Sequence, residues 1–306
     1  MEKIILPESY KFISAFLTFR CNLNCSFCVN NALNENFKRN AFKEISGQEW
    51  VDSLNKIESP REVAVSFTGG EPSLHKDFIY ILNNLKPELG IDLFTNLWWS
   101  KKKLERFIKE VPPEKIDNHA PFPSIRVSYH PKQMGEGEKI LENTKKLKEA
   151  GFDIGIECVM YPNPFQLESL ERMAVRCRAL DITFRPKSFI GIYTEKDDLG
   201  NSFSIRYGNY SKYPNAVFQE KTLQCFSKTS NLLINTDGRV NNCERDSHLM
   251  ENPIGNILNP NFEVKEEFKY CSNYGQCHLC DVKVTTDNKQ KLGFTLVEIK
   301  DIINKK

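Results

Sequence analysis

Cys21, Cys25 and Cys28 stand in the segment CNLNCSFC with the spacing C-x3-C-x2-C. Three thiolates this close can hold three corners of an iron–sulfur cube and leave the fourth iron open to another ligand. The same triad could hold zinc with a fourth, distant ligand. A second motif, Gly69-Gly70-Glu71-Pro72, follows directly on the apolar run VAVSF at 63–67. Two glycines let a backbone pass close to a ligand, and Pro72 restricts the turn. The carboxylate between them can accept hydrogen bonds from an ammonium group.

Five more cysteines lie toward the C-terminus: Cys225, Cys243, Cys271, Cys277 and Cys280. Cys225 is followed by twelve residues, Gly238, four residues and Cys243. Residues 232–235 can form a strand, Thr236-Asp237-Gly238-Arg239 the turn, and Val240 the start of the return strand, because Asp-Gly is a strong hairpin signal. Such a hairpin can bring sequence-distant thiolates together, and Cys277-x2-Cys280 supplies two ligands from one short loop. Four thiolates suit zinc and iron–sulfur alike. Cys158 and Cys177 lie in apparent core segments and read as small buried hydrophobes.

The elements that must position these motifs alternate. Residues 12–19 read as a first strand that delivers the cysteine loop. Ser46-Gly47-Gln48-Glu49 is a capping box, with Trp50, Leu54 and Ile57 on one face behind it. Strands at 63–68, 91–95, 125–129, 152–159 and 182–185 are interleaved with helical patterns: Phe78, Ile81, Leu82 and Leu85, then 101–110, 136–150 and 166–179. The helix at 136–150 stops at Gly151. Six strand–helix steps predict a parallel α/β architecture, in which chemistry gathers at the C-terminal strand ends. The cysteine loop, the Gly-Gly-Glu-Pro turn, Thr95-Asn96 and Ser128-Tyr129-His130 all fall there. Arg185, at the sixth strand end, is placed to meet a carboxylate. Residues 187–224, rich in Ser, Asn, Tyr and Gly, read as a bridge or a substrate-covering loop, and the β/α pattern stops after them.

The chain has 306 residues, 42 basic and 40 acidic side chains and a formal charge of +2. That balance makes no electrostatic case for nucleic acid. No run approaches transmembrane length and no signal-peptide pattern opens the chain, so no membrane partner and a cytoplasmic location are expected. Ten cysteines in a reducing compartment favour metal binding over disulfides.

The first cysteine motif, with Phe27 before its last cysteine, together with the Gly-Gly-Glu-Pro turn, resembles the radical S-adenosylmethionine (SAM) superfamily. The resemblance implies a partial (β/α)6 TIM-like barrel over residues 1–220. It also implies a [4Fe-4S] cluster on Cys21, Cys25 and Cys28 whose open iron is chelated by SAM. Phe27 would pack near the adenine, and Gly69, Gly70 and Glu71 would orient the methionine amine. Ser128 is a candidate contact to the ribose or the SAM carboxylate, with Asn96 and His130 facing the same cavity. The segment from Cys225 resembles the Twitch half-domain and the shared part of the SPASM domain, also through Ile254-Gly255-Asn256-Ile257. That implies a small C-terminal β-hairpin/α domain over residues 221–306 holding one auxiliary [4Fe-4S] cluster on Cys225, Cys243, Cys277 and Cys280. Cys271 remains over, to replace one of the four, to ligate in some state, or to be inert.

These implications lead to a radical SAM oxidoreductase with a flavodoxin- or ferredoxin-like electron donor. It would abstract a substrate hydrogen, with the auxiliary cluster accepting an electron to oxidise a small polar metabolite. One alternative is a maturase that cross-links or epimerises a ribosomally made peptide. The other is an iron–sulfur electron-transfer protein that does not cleave SAM. No peptide-recognition segment is expected before the first strand near Phe12.

Overall fold

The computed structural model of the chain describes residues 3–10, 12–28, 30, 42–60, 62–189, 191–196, 199–207, 225–229, 231–266, 269–271 and 297–301. A short strand β1 (Ile4–Ile5) leads into β2 (Phe12–Thr18), α1 (Gly47–Leu54), β3 (Ile57–Glu58), β4 (Val63–Gly69), α2 (Phe78–Asn84), β5 (Leu89–Thr95) and α3 (Lys101–Glu110). Then come β6 (Ile125–Tyr129), the short α4 (Pro131–Met134), α5 (Glu138–Glu149), β7 (Ile154–Met160), α6 (Pro164–Ala179) and β8 (Thr183–Ser188). Six of these strands pair in parallel in the order β2-β4-β5-β6-β7-β8, each joined to the next through a helix. This is the parallel α/β architecture expected from the alternation, in the partial TIM-like barrel form that the resemblance implied.

The strands form because their residues suit burial on both faces. Ile13, Ala15 and Leu17 of β2 join Val65 and Phe67 of β4 and Ile91 and Leu93 of β5 in the main core beneath the helices. The alternate residues Phe12 and Phe16 turn to the other face and cluster with Phe19 and Leu233. The helices start where their caps dictate. Ser46 and Glu49 close a reciprocal capping box on α1, Ser100 accepts from Lys103 N at 3.3 Å, and Asn163 caps α6 just before Pro164.

The expected helix over 136–150 begins later, at Glu138. Gly135 and Gly137 both take positive φ (55° and 73°), which separates α4 from α5. Gly151 ends α5 in the left-handed region, as predicted. The sixth strand runs three residues beyond its expected end, to Ser188. Residues 187–224 contain more than a loop: β9 (Gly191–Lys196) and β10 (Ser202–Tyr207) form an antiparallel hairpin.

The predicted second hairpin is present as β12 (Asn231–Ile234) and β13 (Arg239–Asn241), with Gly238 at φ 83° in the turn. It extends the barrel sheet: β12 pairs in parallel with β2, Leu233 opposite Ser14, and β13 pairs with β14 (Gly255–Asn256). Between them lies α7 (Glu244–Leu249). A separate three-stranded sheet places β11 (Cys225–Thr229) between β15 (Lys269–Cys271) and β16 (Val297–Asp301). Among the described residues, no helix is long and apolar enough to cross a membrane.

Candidate active site

The first cysteine loop leaves the C-terminal end of β2 at a fixed point. Arg20, just before Cys21, is held by Glu44 through Nε–Oε1 at 2.9 Å and Nη2–Oε2 at 2.8 Å, and it donates to the Leu74 carbonyl at 2.9 Å. Those bonds lower the Glu44 carboxyl below its usual range against the opposing effect of burial. Cys21, Cys25 and Cys28 are half-exposed and not in disulfides. Leu23 N donates to Cys21 Sγ at 3.4 Å, and Asn96 Nδ2 approaches the same sulfur at 3.7 Å. Donors aimed at a sulfur suit a thiolate ligand. Among the described residues, no three ligating side chains are gathered tightly enough for a single metal ion. Three cysteine thiols from one short loop are a donor set whose chemistry suits an iron–sulfur cluster.

The Gly-Gly-Glu-Pro turn is bolted to this loop through its backbone. Gly70 N donates to Thr18 O at 2.7 Å and Glu71 N to Arg20 O at 2.8 Å. Gly69 has φ 123°, and a Cβ there would meet Thr18 O at 2.3 Å. The Glu71 carboxylate is 1% exposed and already surrounded by donors. Oε1 accepts from Ser73 Oγ at 2.5 Å, Thr95 Oγ1 at 2.8 Å and Trp99 Nε1 at 3.2 Å, and Oε2 accepts from Asn96 N at 2.7 Å. Its side chain therefore fastens the end of β5 to the turn. Of the turn's backbone carbonyls, those of Gly69, Glu71 and Pro72 accept from Asn30 Nδ2, Leu74 N and His75 N.

Phe27 stacks on Tyr161 at 4.8 Å and lies 5.8 Å from the His130 ring. Tyr161 in turn meets Phe189 and Tyr193 edge-on. This aromatic wall at the ends of β6 and β7 suits a flat heterocycle. His130 Nδ1 is buried without a hydrogen-bond partner among the described residues, and burial pushes its pKa down to about 4. The ring is thus a neutral group at ordinary pH. Asn96 bonds Asn22 Oδ1 at 2.7 Å, which ties the end of β5 to the cysteine loop. Ser128 is half-exposed on β6, in register with Glu157 of β7. Cys158 and Cys177 are buried, with pKa values pushed up to about 12 and about 11, so they behave as inert core groups.

Of the second cysteine group, Cys243 is half-exposed, not in a disulfide, and sits at the N-cap of α7. Cys225 and Cys271 lie directly opposite each other in the β11–β15 register. Cys277 and Cys280 lie outside the described residues. One bond links this segment to the first loop: His248 Nδ1, on α7, lies 2.8 Å from Asn30 Oδ1, and Asn30 Nδ2 donates to Gly69 O at 3.4 Å. Sequence reasoning missed Tyr161, Asn30 and His248. Tyr161 carries a signal, since it closes the fifth strand; the other two are brought together only by the fold.

Comparison with known proteins agrees with this geometry. The chain is 27% identical over 199 residues to a GTP 3′,8-cyclase of Aquifex aeolicus, covering 63% of this chain and 60% of that protein. It is 26% identical over 170 residues to a PqqA peptide cyclase of Bradyrhizobium diazoefficiens, covering 52% of this chain and 42% of that one. It thus spans less than two thirds of these relatives' length. The fold is similar to Streptococcus suis SuiB bound to S-adenosylmethionine (TM-score 0.52, 15% identity, 81% of this chain and 63% of that chain). It is also similar to anSMEcpe with bound AdoMet (TM-score 0.51, 17% identity, 81% and 75%). The radical SAM superfamily pattern matches residues 16–173, more than half of the chain and including the cysteine loop, the glycine turn, Phe27 and Tyr161. The chain therefore belongs to the radical SAM superfamily.

Proposed function

We propose that this chain is a radical SAM maturase that modifies a ribosomally made peptide. It would use a SAM-binding [4Fe-4S] cluster on Cys21, Cys25 and Cys28. An auxiliary [4Fe-4S] cluster would lie in residues 221–306, on Cys225, Cys243, Cys277 and Cys280, with Cys271 beside Cys225. Bound cluster and SAM supply one-electron cleavage of the sulfur–C5′ bond and a 5′-deoxyadenosyl radical that takes a hydrogen atom from substrate. The chain's own residues do the positioning. Phe27 and Tyr161 wall the adenine, the carbonyls of the glycine turn take the methionine amine, and Ser128 and Asn96 line the same mouth.

The observation that carries the peptide reading is the open side of the barrel. The sheet ends at β8, and no strand pairs with its outer edge among the described residues. An extended chain can enter there, where a closed barrel would admit only a small molecule. Similarity to PqqA peptide cyclases supports this, including 34% identity over 90 residues with the one from Rhodopseudomonas palustris. A second reading, oxidation of a small polar metabolite, is favoured by the longer match to the GTP 3′,8-cyclase. Either reading calls for a flavodoxin- or ferredoxin-like donor and a reducing, cytoplasmic setting.

The test is anaerobic reconstitution followed by iron and sulfide analysis, EPR with and without SAM, and 5′-deoxyadenosine assays. The assays compare peptides encoded beside this protein with nucleotides and sugars. About eight irons per chain and SAM cleavage stimulated by a peptide are expected. Stimulation by nucleotides or sugars alone would select the metabolite reading. A spectrum unchanged by SAM would leave an electron-transfer protein.

A further inference from the structure

Behind the aromatic wall, the barrel lumen holds a line of charged side chains with one gap in it. Ser66 Oγ donates to Asp92 Oδ2 at 2.5 Å, and Asp92 takes the Arg126 guanidinium in a fork, Nε to Oδ1 at 2.9 Å and Nη2 to Oδ2. Phe94 lies flat under the guanidinium, 3.7 Å from Cζ. At the far end, Lys187 is ion-paired with Glu157 Oε2. The middle is open. Arg126 Nη1 and Glu157 Oε1 stand 4.0 Å apart, and each is buried with no hydrogen-bond partner among the described residues. Arg185 Nη1 lies 3.8 Å from the same Glu157 oxygen, beyond hydrogen-bond reach. Arg126 is 1% and Glu157 4% exposed.

A charged donor and a charged acceptor left without a hydrogen bond in a protein interior are costly even at ion-pair distance, and native folds rarely leave both side by side. Here each is also locked by a neighbour on its other edge, Arg126 by Asp92 and Glu157 by Lys187. That is the construction of a preorganised recognition pair. We propose that Arg126 Nη1 and Glu157 Oε1 form a donor–acceptor subsite. It would take a planar group carrying C=O and N–H on one edge: the carbonyl accepts from Arg126 and the N–H donates to Glu157.

A trans peptide bond carries its C=O and N–H on opposite edges, so a substrate main-chain amide does not bridge the gap. A primary carboxamide presents both on one edge, and so does the lactam edge of a nucleobase such as guanine. A carboxylate fits poorly because it brings no donor for Glu157. The subsite lies next to the candidate SAM contacts, since Glu157 is in register with Ser128. The inference rests on the reading that substrate is bound in the lumen. With a peptide substrate, the group is an Asn or Gln side chain near the reacting residue.

The experiment is anaerobic calorimetry of the reconstituted, SAM-loaded protein with N-acetylglutamine methylamide and guanosine. N-acetylglutamate methylamide and purine riboside, whose base has no N–H donor, serve as matched controls. One of the first two binds, and its control does not. Arg126→Lys keeps a cation on Asp92 but removes the free Nη1 edge, and weakens that binding by about tenfold to a hundredfold. Glu157→Gln turns the edge into two donors, so it loses the amide probe and gains the glutamate probe. This gain of binding cannot arise from misfolding. Binding of the glutamine probe agrees with a peptide substrate. Binding of guanosine alone keeps the subsite and rejects the peptide reading. If neither probe binds, or if Glu157→Gln leaves the preference unchanged, the gap holds only water and the subsite is overturned. Peptide turnover unaffected by Arg126→Lys would overturn it while leaving the maturase standing.

Discussion

A Cβ at position 70 would lie 2.2 Å from the carbonyl oxygen of Arg20. The glycine turn and the root of the cysteine loop are therefore in backbone-to-backbone contact. The spacing is closed by Gly70 N to Thr18 O and Glu71 N to Arg20 O. Both glycines are needed for this approach, since Gly69 faces Thr18 O in the same way. Gly70→Ala should destabilise the protein by about 2 kcal/mol or more, because the clash is with backbone and cannot be relieved by a rotamer change. Denaturant unfolding measures it. A near-wild-type midpoint, with the SAM-induced EPR change intact, would show that the contact does not bind the two motifs together.

Glu71→Gln is predicted to cost about 2 kcal/mol although it removes a buried charge. The carboxylate faces only donors: Ser73, Thr95, Trp99 and the Asn96 amide. A Gln amide would turn its own N–H2 toward one of them. The check is the unfolding free energy of the variant, together with SAM affinity. A loss of SAM affinity with unchanged stability would assign the carboxylate to the amine after all.

His248 sets a pH dependence. Burial pulls its pKa from 6.5 down to about 4, so the fold favours the neutral ring. Its contribution is complete above about pH 6.5 and is lost as pH falls toward 4, by about 3 kcal/mol in total. His248→Phe should flatten the stability–pH curve across that window and loosen Asn30. An unchanged slope in the variant would remove His248 as its source.

The two cysteine groups should separate by iron content. Cys21→Ala should lower iron from about eight to about four per chain and abolish the SAM-induced EPR change. Cys243→Ala should remove the other half and leave the SAM response. Loss of all iron in both folded variants would contradict two independent sites.

Much of this was legible without coordinates. The strand–helix alternation, the capping box of Ser46 and Glu49 and the Asp-Gly hairpin at 237–238 are local. Their signals lie in period, cap and turn chemistry within a few residues. The C-x3-C-x2-C spacing of Cys21, Cys25 and Cys28 is local for the same reason. The hairpin of β9 and β10 was not legible, because a polar segment pairs with itself only when the register is known.

The sequence by itself determined the strand–helix order and where the cysteine and glycine motifs fall in it, because spacing and periodicity act over short range. Only the tertiary structure decided which of them face what. It turned the Glu71 carboxylate toward its own scaffold and placed Tyr161 against Phe27. It joined Asn30 to His248 across 218 positions. It also left Arg126 and Glu157 facing a common gap. Strand register and the close approach of two backbones set those relations. Both depend on how distant segments pack, and nothing within a few residues encodes them.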